Sequence, residues 1–140
     1  MRVFVAGVMQ ASSCGKGLVD QRYRSEIRSA LLGRWPDLEV VDPFDLHPNS
    51  VEYQDVEARE TLLSLLDLAR ASDMVVAYAP VASMGTALEM YVAYSRGVPV
   101  ITISPMADNW VVRAFSSRVF PDLVSFADFV AAAESPVALS

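Results

Sequence analysis

The residues with the clearest chemical potential lie between an apolar strand and an apolar helix. The predicted strand Met74–Ala79 runs through a short loop into the segment S-M-G-T-A-L-E, which ends at Glu89. The following residues, Met90–Tyr94, are apolar on every side, which predicts a helix buried against a sheet and a second surface. A carboxylate early in such a helix is either a helix cap or a reactive group.

Helix capping accounts for Glu89 without any function. The sequence from Thr86 to Glu89 fits a capping box, in which Thr86 is the N-cap and Glu89 reaches back to the backbone N–H of that residue. An acid there also suits the positive end of the helix dipole. The capping interpretation does not exclude chemistry, because the mouth of an α/β sheet is where an active site lies.

Two loops rich in small and hydroxyl residues favour a bound anion. Backbone N–H groups at a helix start, with hydroxyls beside them, suit a phosphate. The alternative is that small residues simply make tight turns. The first loop spans residues 7–17 and the second spans residues 80–85 and opens the next helix; the candidate ligand-binding residues in them are Gly7, Ser12, Ser13, Gly15, Lys16, Gly17, Ser83, Gly85 and Thr86.

Three standard motifs are missing. A P-loop needs a Ser or Thr after Gly15-Lys16, but Gly17 follows, and Gln10 occupies the position of its first glycine. The dinucleotide fingerprint breaks directly after Gly7, and no G-x-S-x-G nucleophile elbow occurs. These absences disfavour kinase-like, Rossmann-oxidoreductase and serine-hydrolase functions.

Composition narrows the class of partner. The 140 residues are 53% apolar, which predicts one domain with a sizeable core. The 11 basic and 17 acidic residues give a net charge of −6 without a basic stripe, which disfavours a nucleic-acid polymer. The single cysteine, Cys14, and the single histidine, His47, predict neither a disulfide nor a metal site. No signal peptide or membrane-length apolar run is recognisable, so we expect a cytoplasmic protein with no membrane partner.

The elements that position these residues alternate between strands and helices. This alternation predicts a doubly wound parallel sheet of five strands, a flavodoxin-like or Rossmann-like three-layer sandwich with strand order 2-1-3-4-5. We expect one domain over residues 1–133 and a loose tail over residues 134–140. The predicted strands are Arg2–Ala6, Leu38–Val41, Met74–Ala79, Pro99–Ile103 and Val119–Phe120, and the predicted helices are Leu18–Leu32, Val51–Ala71, Thr86–Arg96, Asn109–Phe115 and Ser125–Ala133.

The order and spacing of four segments resemble the nucleoside 2-deoxyribosyltransferase superfamily. The segments are V-F-V-A-G at residues 3–7, A-S-D-M-V-V-A at 71–77, S-M-G-T-A-L-E at 83–89 and G-V-P-V at 97–100. The resemblance extends from residue 2 to about residue 130. The superfamily includes transferases that exchange bases between nucleosides and hydrolases that cut nucleoside 5′-monophosphates into base and sugar phosphate.

The resemblance implies roles for individual residues and needs no cofactor. Glu89 matches the nucleophile that holds the sugar as a covalent ester while the base leaves. Ser83 matches a serine that contacts the 5′-phosphate, and Asn109 matches an asparagine contributed by a neighbouring subunit. The implied function is a 5′-monophosphate N-glycosidase acting as a homodimer or higher oligomer with shared sites. Base exchange, and a non-catalytic nucleotide sensor, remain as alternatives.

Two departures from the family pattern affect this interpretation. Leu65 stands where the family has an aspartate, and Asp67 is turned by about 200° from that position on a helix. Phe4 stands where many members have a tyrosine that contacts the sugar. The acid that protonates the leaving base is therefore unassigned.

Other polar residues have simpler interpretations. We expect Arg22 and Arg24 on an exposed helix face, and Asp42 and Asp45 as solvated loop acids, although these two acids lie at the carboxyl edge of the sheet. We expect Asp73 to be a turn or cap residue.

Overall fold

The chain folds around one parallel sheet. The computed structural model describes residues 1–10 and 16–140. Within that part, five strands run in the order β2-β1-β3-β4-β5, and every neighbouring pair is parallel. The strands are β1 (Arg2–Gly7), β2 (Glu39–Val41), β3 (Met74–Tyr78), β4 (Val100–Ile103) and β5 (Arg118–Phe120). The predicted fold class and strand order are confirmed.

Helices cover both faces of the sheet. Helices α1 and α6 pack against each other on one face, and α3, α4 and α5 lie together on the other. Short 3-10 helices occupy Ser50–Glu52 and Pro136–Leu139. The α-helices are α1 (Arg22–Arg34), α2 (Pro43–Leu46), α3 (Asp55–Arg70), α4 (Met84–Tyr94), α5 (Trp110–Phe115) and α6 (Leu123–Ala132).

The two cores follow from the alternation of side chains along a strand. In β1, Val3 and Val5 pack with α1 and α6, whereas Phe4 and Ala6 pack with α3 and α4. The inner positions of the central strands β1, β3 and β4 are buried without alternation because both faces are covered. The register pairs Gly7 of β1 with Tyr78 of β3, so both strands end at the same edge of the sheet.

Some element boundaries differ from the sequence prediction. Helix α1 begins at Arg22 rather than Leu18, and α4 begins at Met84 rather than Thr86. The short helix α2 was not predicted; Asp42 caps it by accepting a hydrogen bond from the backbone N–H of Phe44 at 2.9 Å. Asp73 accepts one from the backbone N–H of Arg2 at 2.6 Å, which ties the beginning of β3 to β1.

The expectation of a loose tail over residues 134–140 is wrong. The 3-10 helix Pro136–Leu139 places Leu139 fully inside the core on the α1 and α6 face. The Nε–H of Arg34 donates to the backbone carbonyl of Ala133 at 3.1 Å just before it. Burial of the Leu139 side chain therefore holds this short segment against the core. None of the helices in the described ranges is long and apolar enough to cross a membrane.

Candidate active site

Ser83, and not Thr86, caps helix α4. The Ser83 hydroxyl oxygen accepts hydrogen bonds from the backbone N–H of Thr86 at 3.4 Å and from its hydroxyl at 3.0 Å. Thr86 is therefore already in the first turn of the helix, with its side chain buried. The predicted capping box from Thr86 to Glu89 is wrong, because the S-x-x-T pattern one turn earlier takes the N-cap position.

Glu89 lies in the second turn of α4 and is buried without a hydrogen bond. Glu89 is only 7% exposed. Within residues 1–10 and 16–140 its carboxyl group has no hydrogen-bond partner, so it does not satisfy a backbone N–H as a cap would. Burial raises the pKa of Glu89 to about 8, while the positive charge of Arg24 lowers it and the negative charge of Asp42 raises it.

A buried ion pair influences Glu89 electrostatically. Arg24 of α1 and Asp42 at the end of β2 are 4% and 6% exposed, and Nη1 of Arg24 donates to Oδ1 of Asp42 at 2.7 Å. The expectation that Arg24 is on an exposed helix face, and that Asp42 is a solvated loop acid, is wrong. The spacing of Arg24 from Ile27 and Leu31, which are both fully buried, is the signal in the sequence that indicates a buried face.

Gly7 makes room for an aromatic ring. A Cβ built on Gly7 would lie 2.6 Å from Cε2 of Tyr23, so the glycine is required by packing. Tyr23 stacks on Tyr78 with ring centroids 4.2 Å apart and donates its hydroxyl to the carbonyl of Val8 at 3.1 Å. The Gly7 carbonyl accepts from Nη2 of Arg24 at 3.1 Å. Gly7 therefore serves the protein's own side chains in this structure.

A pocket of about 440 Å³ opens on the other side of the α4 start. Its wall is mostly apolar, and Ser83, Thr86 and Asn109 of the same chain line it together, whereas the family resemblance implies that Asn109 serves a neighbouring subunit's site. Glu89 is not among the lining residues. The lining residues are Ala79, Val81, Ala82, Ser83, Met84, Thr86, Ala87, Met90, Met106, Asn109, Val111 and Val112.

Asn109 begins helix α5 at the rim of this pocket. Its Oδ1 accepts from the backbone N–H of Val111 at 2.9 Å, which fixes the side chain and leaves the amide NH₂ without a partner in the described part of the chain. Around it the surface is unusually apolar, since Trp110 is 86% exposed and Met84 is 84% exposed. Tyr91 and Tyr94 contact Phe115 next to them and are also exposed.

The remaining predicted ligand-binding residues lie in different environments. Phe4, which we expected among the substrate-binding residues from its place in the family pattern, has no exposed surface and packs in the core below α4. A Cβ on Gly85 would meet nothing within 4 Å, so packing does not require a glycine in the first turn of α4. Ser12 and Ser13 lie outside the described residues.

Neither Leu65 nor Asp67 of helix α3 supplies an acid to this site. Leu65 packs against the core below α4, and Asp67 is exposed and pairs with Arg70 at 3.4 Å. Asp67 therefore faces a different direction from Leu65, as the helical rotation of about 200° between the two positions predicts. Among residues 1–10 and 16–140, no group of three or more His, Cys, Asp or Glu side chains is arranged to hold a metal ion.

Three of the solved structures that are similar to this chain illustrate the likeness. A 2-deoxyribosyltransferase from Bacillus psychrosaccharolyticus is 14% identical with a TM-score of 0.66, covering 99% of this chain and 96% of that one. A conserved protein from Enterococcus faecalis V583 is 16% identical with a TM-score of 0.63, covering 94% and 98%. The CMP N-glycosidase of Clostridium botulinum is 15% identical with a TM-score of 0.56, covering 94% and 98%.

These likenesses establish the fold. The alignments run over nearly the whole of each chain, so the similarity includes both helical layers and the sheet. No protein-family model matches the sequence, and no curated protein sequence matches it. The two neighbours named as enzymes are consistent with the resemblance seen in the sequence.

Proposed function

We propose that this chain belongs to the nucleoside 2-deoxyribosyltransferase superfamily and is an N-glycosidase of a nucleoside 5′-monophosphate. Its substrate is a small nucleotide, its nucleophile is Glu89, and it needs no cofactor. The fold likeness to a 2-deoxyribosyltransferase and to a CMP N-glycosidase supports this class of chemistry.

The proposal rests on one observation. Glu89 is buried at the carboxyl edge of the sheet, and no contribution to the stability of the fold explains a carboxyl group at this position. Ser83 already caps α4, so capping does not require Glu89. A buried carboxyl group without a hydrogen bond costs free energy, and such groups are typical of functional sites. A carboxylate oxygen that is not held in a hydrogen bond is available to attack an electrophilic carbon.

The reaction needs two displacements at one carbon. A carboxylate oxygen of Glu89 attacks the anomeric carbon, the carbon–nitrogen bond breaks, and its electron pair leaves with the base. Water then attacks the same carbon, releases the sugar phosphate and returns the carboxylate. The neutral acid is a poor nucleophile, so the ionised form of Glu89 is the reactive one.

The start of α4 suits the 5′-phosphate. The Ser83 hydroxyl oxygen accepts two hydrogen bonds, while its own O–H has no acceptor within the described residues and is free to donate. The first backbone N–H groups of the helix add to this donor. Because Gly85 has no side chain and its surroundings are open, those N–H groups remain approachable.

Substitution of Glu89 tests the proposal. We expect Glu89→Gln to fold and to bind nucleotide but to release no free base from a panel of nucleosides and 5′-monophosphates analysed by chromatography. The control is Glu60→Gln on the exposed surface of α3, which should keep wild-type turnover. A slow 2-fluoro sugar substrate should add the mass of one glycosyl group to the wild-type peptide that contains Glu89.

The same assay separates the alternatives. Appearance of a second base in product nucleoside would identify base exchange, the activity in the name of one structural neighbour. Reversible nucleotide binding without any release of base by the wild type would identify a sensor. Wild-type-like turnover by Glu89→Gln would contradict the nucleophile.

The apolar surface around the pocket is the proposed contact with a second copy of the chain. Trp110, Met84, Tyr91 and Tyr94 would be covered in a homodimer, which would bring the free amide of Asn109 next to a neighbouring site. Light scattering should show an assembly for the wild type and a monomer of reduced activity for Trp110→Glu. Val124→Glu, at an exposed position of α6 on the opposite face, is the matched control. A fully active wild-type monomer would contradict a shared site.

A further inference from the structure

The side chains of Ser83 and Thr86 meet on the wall of the pocket of about 440 Å³. The hydroxyl oxygen of Thr86 lies 3.0 Å from the hydroxyl oxygen of Ser83, and the backbone nitrogen of Thr86 lies 3.4 Å from the same atom. Thr86 is only 2% exposed, whereas Ser83 is half-buried. The two hydroxyl groups therefore share one contact but differ in their access to a bound molecule.

Burial decides which of the two hydroxyl groups donates. A hydroxyl has one hydrogen to donate and two lone pairs that accept. The Thr86 hydroxyl has no acceptor other than Ser83 in the described part of the chain, and a buried O–H without an acceptor costs free energy. The Ser83 hydroxyl avoids this cost, because its hydrogen can point into the pocket. Thr86 is therefore the donor and Ser83 is the acceptor.

The two contacts use both lone pairs of the Ser83 oxygen. One lone pair accepts from the hydroxyl of Thr86, and the other accepts from the backbone N–H of Thr86. The remaining hydrogen-bonding group of Ser83 is its own O–H, which has no acceptor within residues 1–10 and 16–140. Ser83 therefore offers a ligand in the pocket a donor and no acceptor.

We propose that Thr86 is a positioning residue, which fixes the Ser83 hydroxyl as a donor to the 5′-phosphate and so contributes to the preference for a nucleotide. The inference rests on the proposed function, because it takes the start of α4 as the phosphate site. The oxygens of an ionised phosphate are strong acceptors, and their charge strengthens a hydrogen bond from a neutral donor. Thr86 acts through Ser83 and needs no contact with the substrate.

The competing explanation is a helix cap alone. Ser83 caps α4 through the backbone N–H of Thr86, and a threonine in the first turn can donate to a neighbouring oxygen only to satisfy its own hydroxyl. Loss of the Thr86 hydroxyl would then act on a ligand through the shape of the helix start. Such an effect would persist when the Ser83 hydroxyl has been removed, whereas the proposed effect would not.

The test is a double-mutant cycle of Ser83→Ala and Thr86→Val, with binding of ribose 5-phosphate measured by calorimetry. Thr86→Val removes the hydroxyl and keeps the branched shape of the side chain, and Thr86→Ser keeps the hydroxyl and is the rescue variant. The matched control is Thr102→Val. Thr102 is fully buried and its hydroxyl contacts that of Ser116 at 2.6 Å, and neither residue lines the pocket.

We expect Thr86→Val to weaken the binding of ribose 5-phosphate about 3- to 10-fold, because the Ser83 hydroxyl is no longer held as a donor. Thr86→Ser and Thr102→Val should stay within about twofold of the wild type. When Ser83→Ala is already present, Thr86→Val should cause no further loss. Wild-type affinity in Thr86→Val, or an equal loss with and without the Ser83 hydroxyl, would overturn the positioning role.

The orientation of the two hydroxyl groups can be measured without a ligand. Neutron diffraction from crystals of the deuterated wild-type protein locates the deuterium atoms. We expect the Thr86 deuterium between the two oxygens and the Ser83 deuterium directed into the pocket. A Ser83 deuterium directed at Thr86 would overturn the inference, whatever reaction the protein catalyses.

These measurements separate the failure of this inference from the failure of the proposed reaction. If the cycle behaves as expected but the wild type releases no base, the positioning role stands and the proposed N-glycosidase activity fails. If the wild type does not bind ribose 5-phosphate, the proposed phosphate site fails and the positioning role of Thr86 fails with it.

Discussion

Helix α4 presents two different environments from one turn to the next. On one side of its start, Glu89 lies buried without a hydrogen bond, within the electrostatic influence of the buried ion pair of Arg24 and Asp42. On the other side, Ser83 and Asn109 face an apolar pocket of about 440 Å³ surrounded by exposed aromatic and methionine side chains. The first environment is closed to solvent, whereas the second is an open pocket.

The two environments of helix α4 suit two different functions. Burial and fixed charges control the protonation state of a group, and this control is strongest where water is excluded. Open apolar surface and unpaired donors suit the binding of another molecule. If this division is correct, substitutions on the buried side should change pH dependence, and substitutions on the open side should change the preference for phosphate.

The pH profile is the largest expected effect on the buried side. If Glu89 is the nucleophile, its reactive form is the anion. Because burial raises the pKa of Glu89 to about 8, kcat/KM should then increase with pH and level off above that value. Between pH 8 and pH 6 we expect a decrease of about 50-fold, measured by base release. The phosphate of a nucleotide titrates near pH 6 itself. A nucleoside substrate is therefore the control, and a flat profile with it would contradict the assignment.

On the open side, Ser83→Ala should lower the use of 5′-monophosphates specifically. Loss of a charge-assisted hydrogen bond corresponds to about 1.5–3 kcal/mol, or about 10- to 150-fold in kcat/KM, with little change for the matching nucleoside. The substitution also removes the cap of α4. Asp122→Ala removes the equivalent cap of α6, where Asp122 accepts from the backbone N–H of Ser125 at 2.8 Å, and controls for that loss. Equal losses on both substrates would make Ser83 a cap only.

The smallest expected effect is on stability. Glu89→Gln should stabilise the protein at high pH rather than destabilise it. Between the ordinary pKa of 4.5 and the folded value of about 8, the folded protein keeps a proton on Glu89 that the unfolded chain releases, so wild-type stability falls as pH rises through this range. Glu89→Gln avoids this loss. Its melting temperature should match the wild type near pH 4.5 and exceed it by about 3 °C or more at pH 8.

Calorimetry across this pH range checks the prediction. Glu60→Gln should show a difference from wild type that does not change with pH. A Glu89→Gln variant less stable than wild type at pH 8 would mean that the carboxylate has a stabilising partner.

Most of the fold was predictable because periodicity and burial agree along the chain. Strands such as Met74–Tyr78 are apolar without alternation, which is typical of a parallel sheet covered on both faces. The identity of Glu89 as the residue to explain also followed from the sequence, since a single carboxylate interrupts an apolar helix.

The errors arose where two local patterns competed. Ser83 and Thr86 each fit a helix cap, and only packing of the Thr86 side chain decides between them. Arg24 was assigned to the surface by residue type, although its spacing from Ile27 places it on the buried face. The docking of Leu139 depends on a space between α1 and α6 that no local pattern encodes.

The position of β1 between β2 and β3 has a consequence for how the protein folds. Its hydrogen bond to Asp73 joins residues 71 positions apart, and all of β1's pairing with β3 spans a similar distance. Such distant contacts require the chain to close a large loop before any sheet energy is gained, which slows folding relative to helical domains. The neighbourhood of Glu89 depends on that pairing, because Arg24 donates to carbonyls of β1 while α4 follows β3. The site therefore assembles only after the central strands have met, and a nascent chain gains it late.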